Sequence, residues 1–140
     1  MKFNWKNRNE IDDIYIHDSI FKGYFYDYEK REIELYCEYI YSEEEIDEIK
    51  FVFHNVIMNQ LQSCCLWGTG IHVLVVYYDE NNILLEEAKQ QVEEAKRKWG
   101  RVTFIDDEKM EYLPIVFEMN SGDILMIVCE EFEYEVYKKS

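Results

Sequence analysis

Between residues 32 and 41 the chain alternates. Ile33, Leu35, Cys37 and Tyr39 fall on one parity, and Glu32, Glu34 and Glu38 fall on the other. Successive side chains on a strand point to opposite faces, so residues 33–41 read as a β-strand with one dry and one wet face. One wet face is the mark of an antiparallel sheet. The same logic assigns strands to residues 21–28, and to residues 49–57 with Ile49, Phe51 and Phe53 on one side. It also assigns a strand to residues 112–119, with Leu113, Ile115, Phe117 and Met119 in register. Ile14-Tyr15-Ile16 reads as a short strand, and residues 101–105 as another. Residues 71–78 are apolar on both faces except at His72, which predicts a central strand. Residues 124–137 read as one long strand. It is apolar on both faces as far as Cys129, then alternates Glu131, Glu133 and Glu135 with Phe132, Tyr134 and Val136.

Turns punctuate these runs. His17-Asp18-Ser19, Gly68-Thr69-Gly70 and Asn120-Ser121-Gly122-Asp123 carry turn chemistry. Glu29-Lys30-Arg31 fits a hairpin connection without the Asn-Gly or Asp-Gly signal. Ser42 and Glu45 have capping-box spacing, which predicts a helical turn in the acidic loop. Residues 58–67 give no clear period.

One segment has helical spacing. Leu84, Ala88, Val92, Ala95 and Trp99 form a single stripe over residues 83–99. Asn82 suits the N-cap and Gly100 the C′ position. Glu86 and Glu87 near the start, with Arg97 and Lys98 near the end, match the helix dipole. The expected fold is α+β, mainly antiparallel β (sandwich-like or a curved sheet), with one amphipathic helix at about 83–99. No Gly/Ser/Pro linker or internal repeat divides residues 1–140, so a single domain is expected.

Composition changes the picture in one respect. The hydrophobic share of 48% argues against disorder, and the net charge is −15. Such a field repels phosphate backbones and anionic membranes, which disfavours both as partners. A basic protein or a multivalent cation is the natural complement, although acidity alone also serves solubility. No stretch approaches the ~20 apolar residues of a membrane span, and no apolar h-region follows the basic start. A cytoplasmic location with reduced thiols is therefore expected.

Candidate chemistry is sparse. His17-Asp18-Ser19 has the residue types of a triad, but adjacent side chains diverge, and Asp18 and Ser19 are good turn and capping groups. Cys64-Cys65, with His54 and His72 near in sequence, lacks the Cys-x₂₋₄-Cys spacing of a zinc site, so no metal is expected. Neither a phosphate-binding glycine loop nor a G-x-S-x-G elbow is present, and no cofactor is expected. The acidic clusters are the stronger lead. They are Glu43-Glu44-Glu45 with Asp47 and Glu48, Asp106-Asp107-Glu108, and Glu130-Glu131 with Glu133 and Glu135. Like charges on neighbouring positions repel unless a cation or a basic partner neutralises them. Tyrosines interleave them, and Tyr is enriched at binding hot spots. The candidate partner-binding set is Glu34, Tyr36, Glu38, Glu131, Glu133, Tyr134, Glu135 and Tyr137.

Two stretches carry a resemblance. One runs His17-Asp18-Ser19-Ile20, then alternating residues and a turn, to Ile33-Glu34-Leu35-Tyr36-Cys37-Glu38. The other joins Leu113-Pro114-Ile115-Val116-Phe117 to Ser121-Gly122-Asp123-Ile124-Leu125-Met126-Ile127-Val128-Cys129-Glu130. Together they resemble small bacterial proteins of Gram-positive type, among them immunity proteins of contact-dependent and other polymorphic toxin systems. The resemblance implies a cytosolic protein that neutralises a cognate toxin, often a basic nuclease, by occluding its active site. It carries over no catalytic residue. The competing expectations are a small hydrolase or nuclease using His17, and a structural or regulatory subunit of an oligomer.

Overall fold

The alternating segments pair into two antiparallel sheets. The computed structural model describes residues 1–62, 72–100 and 111–139. The first sheet has five strands in the order β1-β9-β4-β3-β2. They are β1 (Lys2–Phe3), β2 (Ile20–Asp27), β3 (Glu32–Ile40), β4 (Ile46–His54) and β9 (Glu131–Lys139). The second has four in the order β5-β8-β7-β6: β5 (Met58–Gln62), β6 (Val73–Tyr78), β7 (Leu113–Met119) and β8 (Ile124–Cys129). The mainly antiparallel α+β reading is thus correct. The expected turn at 68–70, the strand at 101–105, Cys64, Cys65 and the 106–108 acids lie outside the described residues.

The core forms where the two sheets present their apolar parities. Ile33, Leu35, Phe51, Phe53 and Phe132 of the first sheet join Leu113, Ile115, Phe117, Leu125 and Ile127 of the second in one buried cluster. Phe51 meets Phe117 edge-on at 5.3 Å between ring centroids, a favoured aromatic geometry. Burying each such ring contributes about 1.5–3 kcal/mol. The second sheet's other face is also partly dry. There Leu84 and Leu85 of the helix α1 (Ile83–Trp99) pack with Tyr112, Val128, Met58 and Met126. The expected caps of α1 are present. Asn82 accepts a hydrogen bond from the Leu84 amide at 2.9 Å, and Gly100 takes the left-handed conformation at φ 74°.

Several expectations change. Residues 124–137 are two strands, not one. The chain bends at Glu130 and passes from the second sheet to the first. The core-facing parity switches there, from Leu125, Ile127 and Cys129 to Phe132 and Tyr134. Strand β6 is an edge of its sheet among the described residues, not a central strand, and Leu74 and Val75 are exposed. Residues 14–16 form no strand, and 42–45 bend without a helical turn. The amino end holds elements that alternation does not reveal: β1, and a 3₁₀ helix over Trp5–Asp13. Asn4 caps the latter by accepting from the Lys6 amide, while the Asn7 side chain accepts from the Asn4 amide. No helix among the described residues is long and apolar enough to cross a membrane.

Candidate functional site

The outward face of the five-stranded sheet gathers residues that are far apart in the chain. On β3 the inward Ile33, Leu35 and Cys37 are buried, which turns Glu32, Glu34, Tyr36 and Glu38 outward. On β4 the buried Ile49, Phe51 and Phe53 leave Glu48, Lys50, Val52 and His54 on the same side. On β9, Phe132 and Tyr134 pack inward, so Glu131, Glu133, Glu135 and Tyr137 face out.

Register then sets these residues in rows across the strands. Glu34, Val52 and Glu133 lie side by side, as do Tyr36, Lys50 and Glu135. Glu38, Glu48 and Tyr137 form the next row, in which two carboxylate residues stand directly opposite each other. Directly opposed like charges destabilise a sheet.

All members of the candidate set except Tyr134 therefore share one face. Tyr134 is a correction. Its ring stacks on Phe51 at 5.3 Å and lies 6.1 Å from Phe3, at the margin of the core. Even-numbered residues of β9 face inward, and Tyr134 follows Phe132. The candidate set leaves out Glu32, Glu48, Lys50, Val52 and His54, which share this face. Their signal is the complementary parity to Ile49, Phe51 and Phe53.

Local bonds hold the face in order. The Tyr36 hydroxyl donates to Glu34 at 2.5 Å, and the Tyr137 hydroxyl donates to Glu135. Donation to a carboxylate favours the protonated phenol. Both tyrosines are accordingly held above their ordinary pKa, with that hydrogen bond as the main cause. Lys50 leans towards β3. Its Nζ is 3.7 Å from Glu34 and 5.8 Å from the Tyr36 ring centroid. A shallow cleft of about 210 Å³ lies beside it, lined by Lys50, Val52, Glu133, Glu135 and Tyr137 with the Tyr134 segment.

His54 bridges three strands. Nδ1 is 3.3 Å from Glu32 of β3, and Nε2 is 3.3 Å from Glu133 of β9. Imidazolium can donate to both carboxylates, and neutral imidazole to one. Replacing His54 by Ala removes the group that stands between those acids. The expected loss is about 0.5 kcal/mol in urea unfolding, as for a partly exposed ion pair. The loss should shrink in 1 M salt, where the Debye length is about 3 Å. A salt-independent loss would mean that His54 acts through packing alone.

The other acidic features separate from this face. Glu43, Glu44 and Glu45 sit exposed in the β3–β4 connection. Asp47, grouped with them by sequence, is buried and accepts a hydrogen bond from the Tyr41 hydroxyl at 2.9 Å. Burial of Asp47 reflects its inward parity, opposite Tyr39 on β3.

His17-Asp18-Ser19 is a turn fastened to β6. The Asp18 amide donates to Val73 O at 2.8 Å, and the Val73 amide donates to Ser19 O at 2.8 Å. His17 Nδ1 lies 2.9 Å from Leu74 O. The Ser19 hydroxyl is buried and donates to Ile16 O at 2.7 Å. Asp18 takes a positive φ of 68°, a conformation that Asp tolerates better than most residues. His17 Nε2 lies 3.4 Å from Asp18 Oδ1, and both side chains are exposed. No group of His, Cys, Asp and Glu suited to a metal occurs among the described residues. No protein-family model matches the chain, and no curated protein is significantly similar to it.

Proposed function

We propose that this protein is a binding protein of the immunity type, acting in the cytoplasm. In this reading the outward face of the five-stranded sheet covers a basic partner, a cognate toxin domain, and occludes its active site. The observation that carries the reading is the co-location of Glu34, Glu38, Glu131, Glu133 and Glu135 with Tyr36 and Tyr137 on one sheet face. Carboxylates there present a field like that of phosphates to a cationic cleft, and tyrosines supply rigid contact area at low entropic cost.

The proposal expects a basic toxin domain encoded beside this protein, and the test is binding to it. Exchanging Glu131, Glu133 and Glu135 for Lys is expected to slow association roughly tenfold or more at low salt. The dissociation rate should change less. Stopped-flow or surface-plasmon kinetics at two ionic strengths reads both rates. Undetectable binding by the unmodified protein at low salt would end the proposal.

A further inference from the structure

His54 is the last residue of β4, and β4 lies between β3 and β9. Its ring therefore has an acid on each side. Glu32 approaches Nδ1 and Glu133 approaches Nε2, both at 3.3 Å. The three side chains are 29%, 30% and 31% exposed for His54, Glu32 and Glu133, so protons reach the ring while water screens it only in part. The acids stand on opposite nitrogens of one ring. Imidazolium carries a proton on each and donates to both at once. Neutral imidazole has one N–H, so it serves one acid and the other loses this donor.

From this we infer that His54 is a proton-operated switch on the outward sheet face, which frees one carboxylate when the ring gives its proton to solvent. Two carboxylates and an imidazolium sum to −1, and with the ring neutral the same trio sums to −2. Its consequence for a partner rests on the outward face being the docking surface, whereas the switch itself belongs to the free chain.

The surroundings let charge change without opening the sheet. His54 O accepts the Glu130 amide at 3.2 Å, and Asn55 Nδ2 donates to Glu130 at 2.9 Å. Those bonds tie the end of β4 to the bend before β9 whatever the state of the ring. Other charged residues surround the trio. Glu131 stands opposite His54 on β9, Glu34 follows on the outward side of β3, and Asp27 of β2 stands opposite Glu32. Lys2 of β1 stands opposite Glu133, Lys50 leans towards Glu34, and Arg31 precedes Glu32 in the β2–β3 turn. Carboxylate, ammonium and guanidinium groups ordinarily keep their charge between about pH 5 and 8, the range in which histidine changes its own. The imidazole is thus the group that alters the charge of this corner there.

An NMR series from about pH 5 to 8 reads the switch on the full chain, with ¹³C-labelled Glu carboxyls and ¹⁵N-labelled His rings. The Glu32 and Glu133 carboxyl signals should move in step with the His54 ring nitrogens. In His54→Gln, whose amide does not titrate, those movements should disappear. Carboxyl signals that stay still while the His54 ring titrates would overturn the switch, and the unmodified chain decides this even if the variant does not fold. Movements of the same size in His54→Gln would also overturn it. The consequence is read separately, as affinity for the toxin domain. Binding should be about two- to fivefold tighter at the upper end of this range than at the lower, the size of one partly exposed ion pair. His54→Gln should lose that difference. The same pH dependence in the variant and the unmodified chain would overturn the switch as a control on binding. No binding at either pH would end the docking reading, and the carboxyl titration would then judge the switch on its own.

Discussion

Phe51→Ala is expected to lower the unfolding free energy by about 3–5 kcal/mol. Phe51 is fully buried on the inward face of β4. Its ring stacks with Phe53 at 5.9 Å and Tyr134 at 5.3 Å, leans on Phe132 at 6.2 Å, and meets Phe117 edge-on. It joins the two sheets as well as neighbouring strands, so no one element can collapse into the space it leaves. The residual cavity adds to the lost transfer free energy. Urea denaturation followed by circular dichroism measures this. A loss under about 1 kcal/mol, the size of an ordinary substitution, would mean that the sheets are held together elsewhere. The outward Val52→Ala on the same strand is the control. It should cost far less, because its side chain is only half-buried.

The second large effect is alkaline. The Cys37 thiol is buried and is pushed from an ordinary 9.0 up to about 12, chiefly by desolvation, which its contact with Ser19 partly offsets. Cys129 is shifted the same way by burial, with Glu131 and Glu130 adding to it. In the unfolded chain these thiols ionise near their ordinary value while the folded protein keeps the protons. Their contribution to stability is therefore complete below about pH 9. It is lost as pH rises towards the folded value, at about 1.4 kcal/mol per pH unit for each thiol. For Cys37 the whole window amounts to roughly 4 kcal/mol. Comparing the unmodified protein with Cys37→Ala between about pH 9 and 11 isolates its share, since the tyrosines and lysines titrate alike in both. The variant should show a slope shallower by about one proton. Coincident slopes, or rapid reaction of Cys37 with a thiol reagent near neutral pH, would contradict this account.

Much of the acidic sheet face is legible in the sequence, because a strand with period two declares which residues share a side. Parity alone groups Glu34, Tyr36 and Glu38 correctly on β3, and Glu131, Glu133, Glu135 and Tyr137 correctly on β9. Tyr134 shows what happens when residue type is weighed above parity. Tyrosine suggests a binding hot spot, yet its place two residues after Phe132 already turns it inward. Asp47 teaches the same lesson, since an acidic run in sequence need not be an acidic patch in space. The helix is equally readable, because stripe, cap and terminal glycine agree with one another.

What the sequence determined by itself was therefore local: the strands of clear period, the helix from Ile83 to Trp99, the turn at His17-Asp18-Ser19, and an excess of acid on wet strand faces. Only the tertiary structure decided that β9 lies next to β4. That pairing brings His54 to Glu133, 79 residues further along the chain, and sets Glu135 beside Lys50. It also decided that the run from Ile124 breaks at Glu130 and that, among the described residues, β6 is an edge of its sheet. The physical reason is that alternation specifies which face of a strand is dry but not which strand lies beside it. Neighbours are chosen by the packing of the whole core, where Phe51, Phe117 and Phe132 must fill one space together.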